Sequence, residues 1–386
     1  MAAIDALLRQ PPYAARLGEH RGLLQAAVRE AIQHHYANCP LFARWYRKQG
    51  LNPNAEIEDL TRVPFLPVSL FKRLSLESVP EQEVVRVLKS SATSSQTPSR
   101  VVLDRITRDR QMRTLAALMS AMMGSRRRPF VILDTPAAQG ADMELSARVA
   151  GLRGYLMMAS ETHYALEARD GHLFLNSDEL EDLLSQLRRH QIPVCLIGYT
   201  YMLYQYVVTP LVRAGRRLQL PTGSMVLHFG GWKRLERQAV DRSRLNAEVE
   251  QVFAMDKPRI YDVYGFTEQL GVIYPDDGNG VRKVPVYSEV IVRDPVTLES
   301  LPDGMPGLLE FVTPLPHSYP GVALLLDDIG RIVSRNSEQG GRYGTSFEVL
   351  GRARGTEIRG CGDTLPEQIY QVREKHGSGH EDLRLV

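Results

Sequence analysis

The chain has 386 residues, 43% of them hydrophobic and 24% charged, with a formal net charge of +2. That length suffices for two or three domains around a large buried core, and the near-neutral balance excludes a dedicated nucleic-acid binder, which concentrates basic charge on one face. The three cysteines, Cys39, Cys195 and Cys361, are widely spaced and form neither a disulfide framework nor a CxxC metal pair, which points to a reducing, cytoplasmic compartment.

No basic leader precedes the first apolar residues, so no signal peptide is expected. Apolar runs such as Val322–Leu326 are far too short for membrane insertion. In chain order, residues 14–50 are predicted helical, with Leu23, Leu24, Ala27, Val28 and Ile32 at helical spacing. Asn52-Pro53-Asn54, Pro64 and Pro67 break the pattern. A strand Val84–Leu88, a hydroxyl-rich loop Ser90–Ser99, a strand Val101–Leu103 and a helix Asp109–Met123 follow. Arg126-Arg127-Arg128, the densest basic run, reads as a solvated loop before the strand Phe130–Leu133.

A helix is expected near Met143–Leu152 and another over Asp178–Arg189, capped by Ser177. Next come a buried strand Val194–Gly198, a helix Tyr201–Val208 and strands Met225–Phe229 and Arg259–Val263. Strands alternating with helices predict an α/β fold, with layered, mainly parallel sheets over residues 1–280. Beyond Val281 the strands Val286–Val292, Gly307–Val312 and Val322–Leu326 are separated by Pro and Gly. They predict a smaller β-rich subdomain over 281–372, followed by a polar tail over 373–386.

Five segments carry chemistry. The loop around Ser90, Ser91, Thr93, Ser94 and Ser95 presents backbone N–H groups and hydroxyls suited to an anion such as triphosphate, without the glycine–lysine pattern of a Walker loop. Gly230-Gly231, followed by Trp232 and Lys233, lets backbone approach a planar ligand closely. Tyr264-Gly265-Phe266-Thr267-Glu268 puts a hydroxyl and a carboxylate at the C-terminal end of a strand, where α/β folds place ligands; the Glu268 carboxylate suits a Mg²⁺ that bridges phosphates. Asp328, after a strand, can accept both hydroxyls of a ribose. The fifth segment runs from Gly351-Arg352 to Arg359-Gly360-Cys361. Taken singly, each has a bland reading as loop, turn or core.

In this order and spacing the five segments resemble the motifs of the adenylate-forming enzymes. A closer resemblance is to one branch, the LuxE-type acyl-protein synthetases (long-chain fatty acid–protein ligases). Pro67–Lys72, the serine-rich loop with Pro98-Ser99-Arg100, Gly198-Tyr199-Thr200-Tyr201-Met202, His228–Lys233 and Glu357–Cys361 carry it. The chain departs from the wider pattern in three ways. Ala92 and Ser95 replace both loop glycines, Ser99 stands where a lysine is expected, and Glu357 replaces a hinge lysine.

The resemblance implies ATP and Mg²⁺ as cofactors, activation of a carboxylic acid, most simply a fatty acid, as acyl-AMP, and transfer to a thiol. It assigns Cys361 as the acyl acceptor, Thr267 to the α-phosphate and Glu268 to the metal. Lys233 or Arg352 supplies catalytic charge, and Tyr199, Tyr201 and Met202 border the acyl chain. It further implies an acyl-accepting protein partner, an acyl-reductase or carrier protein, and a mobile C-terminal domain that is truncated or absent. Two alternatives stay open: a coenzyme A or carrier-protein ligase without self-acylation, and a weakly catalytic scaffold of a reductase complex.

Overall fold

The computed structural model describes residues 2–14, 16, 18–89, 99–136, 152–170, 172–232, 239–255, 259–276, 278–339 and 342–353. The loop residues Ser90, Ser91, Thr93, Ser94 and Ser95, most of the helix expected near Met143–Leu152, Lys233 and Cys361 lie outside them. The chain forms two compact units. Unit 1 comprises Met1–Gln111, Thr267–Gln269 and the described residues from Arg282 onward; unit 2 comprises Met112–Phe266 and Leu270–Val281.

Unit 1 opens with helices α1 (Ala2–Leu7), α2 (Arg21–Asn38) and α3 (Pro40–Lys48). The stretch predicted as helical over 14–50 breaks at Cys39, which is extended (φ −116°, ψ 100°), because a following proline excludes the helical conformation from the residue before it. α2 buries Leu24, Ala27, Val28, Ala31, Ile32 and His35. The short strand β1 (Leu66–Pro67) and the antiparallel hairpin of β2 (Arg86–Lys89) and β3 (Arg100–Leu103) follow. Asp104 then accepts from the Thr107 N–H at 2.8 Å, satisfying an orphan donor at the start of α4 (Arg105–Met123).

Unit 2 is built on β4 (Arg128–Ile132), β5 (Ala159–Tyr164), a hairpin of β6 (Leu166–Arg169) and β7 (His172–Leu175), and helix α5 (Ser177–Arg189). Then come β8 (Cys195–Tyr199), α6 (Thr200–Met202), a π-helical turn (Leu203–Val208), α7 (Thr209–Arg213), β9 (Met225–Phe229), α8 (Arg242–Phe253), β10 (Ile260–Tyr264) and β11 (Tyr274–Pro275). The six-stranded sheet runs β11-β10-β9-β8-β4-β5, parallel except for β11. Its central strands are mostly apolar and almost wholly buried, as a sheet covered on both faces requires. Val131, Leu196 and Val226 share one cluster with Leu184 of α5 and Val249 and Phe253 of α8, each side chain contributing about 1.5–3 kcal/mol by leaving water.

Two local expectations are corrected in unit 2. The cap of α5 is Asn176, whose side chain accepts from the Glu179 N–H; Ser177 Oγ instead accepts from Arg216 at 2.6 Å. Arg128 is not in a solvated loop. It is 9% exposed in β4, and its guanidinium donates to the carbonyls of Met123 and Gly223, which explains why a charge is tolerated there.

The larger sheet of unit 1 contains β12 (Val281–Lys283), β13 (Glu289–Arg293), β14 (Gly307–Val312), β15 (Ala323–Gln339) and β16 (Arg342–Arg352), ordered β12-β16-β15-β14-β13. β1 adds to it in parallel, Leu66 opposite Leu324. The described residues thus form an α/β architecture with one mainly parallel and one mainly antiparallel sheet.

Candidate functional site

In unit 2 the candidate residues gather at the C-terminal edge of the parallel sheet. The register sets Tyr199 of β8 opposite Phe229 of β9, and Phe229 opposite Val263 of β10. Tyr199, Gly230 and Tyr264 therefore leave three adjacent strand ends side by side, the edge where open α/β sheets bind ligands. Gly230 (φ 77°) and Gly231 (φ 58°) are both left-handed, a pair of conformations that other residues adopt only under strain. Among the described residues, its chain neighbours apart, no atom lies within 4 Å of where a Gly231 side chain would begin.

Aromatic rings line this edge. Phe229 is stacked on Tyr155 (5.5 Å, 9°) and meets Tyr199 edge-on (4.8 Å, 63°), while Tyr199 and Tyr201 lie 6.0 Å apart. Trp232 packs edge-on against Tyr204 of the π-helical turn at 5.2 Å. Met202 is 1% exposed, within the hydrophobic cluster that the four tyrosines Tyr199, Tyr201, Tyr204 and Tyr206 pack against. Below Gly230 the Thr200 hydroxyl donates to the Phe229 carbonyl at 3.3 Å. The same hydroxyl is hydrogen-bonded to His228 Nδ1 at 3.0 Å. His228 is buried and lies 3.8 Å from Asp262, which is backed by Arg242 and, through Arg242, Asp276.

In unit 1 Thr267 and Glu268 lie on a short 3-10 turn, Thr267–Gln269. Glu268 is buried. Burial pushes its carboxyl above the usual range, and the Ser99 hydrogen bond with the charges of Lys72 and Arg352 draws it part of the way back. Tyr319 Oη donates to the Glu268 carbonyl at 2.8 Å. Asp328 of β15 is directly opposite Arg352 of β16. The exposed Arg352 guanidinium is 4.0 Å from Asp328 and 3.9 Å from Asp327, a spacing and exposure worth little as an ion pair.

The donor set fits Mg²⁺ in one way. Among the described residues no group of three or more His, Cys, Asp or Glu side chains is placed to hold a metal ion. A lone buried carboxylate such as Glu268 instead matches a cation that takes its other ligands from phosphate oxygens and water.

Unit 1 contains a second polar cluster that the sequence reading missed. His317 Nδ1 donates to Asp104 Oδ2 at 2.7 Å and its ring stacks on His34 at 3.9 Å. His34 Nε2 donates to the His317 carbonyl, His35 bonds Ser78 and the Pro316 carbonyl, and Thr107 Oγ1 accepts from the N–H groups of His317 and Ser318. Only the dense polar spelling of His317-Ser318 between prolines hinted at it.

Comparison with known proteins gives one direction. Residues 2–370 match the family described as acyl-protein synthetase, LuxE. The chain is similar to the long-chain-fatty-acid–luciferin-component ligase of Vibrio harveyi, 26% identical over 97% of this chain and 95% of that one. The ligase of the same name from Aliivibrio fischeri is 24% identical over 95% and 94%. In fold, it resembles 2-hydroxyisobutyryl-CoA ligase solved in an open conformation with 2-HIB-AMP and CoA, with a TM-score of 0.62 and 15% identity over 97% of this chain and 85% of that one. Among the described residues no helix is long and apolar enough to cross a membrane.

Proposed function

The chain belongs to the acyl-protein synthetase, LuxE, family, a branch of the adenylate-forming ligases, and from that premise we propose that it activates a long-chain fatty acid with ATP and passes the acyl group through its own Cys361 to a protein acceptor. The fatty-acid class rests on the relatives named for that substrate. The observation that carries the nucleotide half is the left-handed Gly230-Gly231 pair between the strand ends at Tyr199 and Tyr264, a backbone shape that admits a flat base at van der Waals distance.

In the first step a carboxylate oxygen of the acid attacks the α-phosphorus of ATP, and the bond to pyrophosphate breaks. Gly230, Gly231, Trp232, Tyr264 and Gly265 hold the base and Asp328 the ribose hydroxyls. The hydroxyls of Ser90, Ser91, Thr93, Ser94 and Ser95 receive the phosphates, and Thr267 contacts the α-phosphate. Glu268 holds Mg²⁺, which when bound offsets phosphate charge. Lys233 or Arg352 adds a cation near the developing charge. Tyr199 and Tyr201 border the acid, with Met202 backing them from the core.

In the second step the Cys361 thiolate attacks the acyl carbon, and AMP leaves with the electrons of the carbon–oxygen bond. AMP is a good leaving group, so this step depends on reach and orientation more than on basicity. The thioester then passes to a nucleophile of the partner.

Intact-protein mass spectrometry after incubation with ATP and a panel of acids tests both steps. We expect one acyl group added with a long-chain fatty acid, removed by hydroxylamine and absent in Cys361→Ser. Acyl label that persists in Cys361→Ser overturns Cys361 as the acyl acceptor. Absence of acid-dependent ATP–pyrophosphate exchange, alone and with an acyl-reductase, overturns adenylation.

A further inference from the structure

Glu268 is held at two points by residues distant in sequence. The Ser99 hydroxyl donates to Oε1 of its carboxylate, and Tyr319 Oη donates to its backbone carbonyl. Ser99 is 1% and Tyr319 0% exposed, so water does not compete for either donor. Tyr319 is itself fixed. Its ring meets Phe71 edge-on at 5.8 Å, and the preceding Ser318 bonds the Val102 carbonyl at 2.7 Å and Thr107 through its N–H at 3.0 Å.

A glutamate on a three-residue turn has three side-chain rotors to sample, and ordering them opposes cation binding. Here that ordering is done in advance. With Oε1 engaged, the plane of the carboxylate is held, and the second lone pair of Oε1 and those of Oε2 remain for a cation. The hydroxyl is neutral, so this hold leaves the negative charge of the carboxylate intact for the cation, whereas an ammonium in its place would oppose it.

We propose that Ser99 is a positioning residue for metal binding, its hydroxyl setting the direction in which Glu268 presents its carboxylate to a phosphate-bound divalent cation. This rests on the reading of Glu268 as the metal-holding carboxylate. Ser99 acts through Glu268 and touches neither nucleotide nor acid. Partners that orient a metal ligand in this way typically change metal affinity about 10–100-fold when removed.

The test is titration of the full chain with MnATP, followed by water proton relaxation enhancement, which reports Mn²⁺ immobilised on protein. ATP binding in excess EDTA is measured alongside by equilibrium dialysis. Ser99→Ala is expected to weaken MnATP binding about tenfold, to leave metal-free ATP binding within twofold, and to be rescued by Ser99→Thr. If Ser99→Ala fails to fold, Ser99→Cys, which keeps the side-chain shape with a somewhat larger atom and replaces a strong donor by a weak one, is expected to show the same selective loss. Wild-type MnATP affinity in Ser99→Ala or Ser99→Cys, with affinity lost in Glu268→Gln, overturns the positioning role and leaves the Glu268 reading standing. Unchanged affinity in Glu268→Gln, or no MnATP binding by the wild type, overturns the Glu268 reading and the proposal with it. Equal loss of ATP binding with and without metal in Ser99→Ala assigns Ser99 to the loop fold and also overturns the proposal.

Discussion

The Nδ1–H of His317 donates to Asp104 across 2.7 Å, joining residues 213 positions apart. Asp104 also accepts from the Thr107 N–H, so one carboxylate caps α4 and fixes the loop that leads to Tyr319. Burial alone would raise the Asp104 carboxyl; the bonds from His317 and Thr107 outweigh it and hold the group at about 2.

The sign for stability follows. A carboxyl depressed in the folded state stabilises above its unfolded value near 3.8 and loses that contribution as pH falls toward 2. Asp104→Asn is expected to cost on the order of 2 kcal/mol near neutral pH, with the difference from wild type closing between about pH 4 and pH 2. Urea unfolding curves at stepped pH check this; a gap that persists at pH 2 contradicts it.

The neighbouring imidazoles act in a different window. Burial pushes His34 below its ordinary value of 6.5 and His35 well below it, and the adjacent ring charges add to the effect. The unfolded chain then takes up protons below pH 6.5 that the folded chain refuses. Stability is full above 6.5 and falls on acidification, with His35 contributing at most about 1.4 kcal/mol per pH unit. Comparing unfolding at pH 7.5 and 5.5 in wild type and His35→Gln should show a shallower acid loss in the variant.

Gly198 is the penultimate residue of β8, and a Cβ there would lie 2.6 Å from Leu133 Cβ. Gly198→Ala is therefore expected to destabilise unit 2 by about 1–3 kcal/mol through overpacking. Leu133→Gly, which removes that Cβ, should couple favourably with Gly198→Ala in a double-mutant cycle that calorimetry can read, whereas Leu133→Ala, which keeps it, should restore little.

Trp232 follows the glycine pair and rests on Tyr204. The only other tryptophan, Trp45, lies among Phe42 and Tyr46 in unit 1. In a Trp45→Phe background, ATP is expected to change the emission of Trp232, and Tyr204→Ala to alter the unliganded spectrum. An emission insensitive to saturating ATP removes Trp232 from the base site.

What was legible in the sequence was local. Met225–Phe229 and Gly307–Val312 were read with the bounds they have, because an apolar run between turn residues is visible within one window. The places of Gly230-Gly231 and Gly265 directly after strands are legible because a strand and the residues that follow it are contiguous in sequence. Pairings across long separations were not legible: Ser99 with Glu268, His317 with Asp104, β1 with β15. Ser99 read only as a missing lysine, since nothing in its neighbours names a carboxylate 169 positions away. The cap of α5 was missed by one residue because Asn176 and Ser177 are both good caps, and Arg216, which engages Ser177, lies 39 residues on.

The pairing of Leu66 with Leu324 has a consequence for synthesis. At about 5–20 residues per second, the first 111 residues leave the ribosome and wait on the order of ten seconds or more for the strands that complete their sheet. Unit 2 is nearly contiguous and closes its own sheet in that interval. The apolar face of α2 and the strand at Leu66 are thus the surfaces a nascent-chain chaperone should hold. A ribosome stalled near residue 320, with unit 2 clear of the exit tunnel and β15 not yet made, should carry a protease-resistant middle behind a protease-sensitive start.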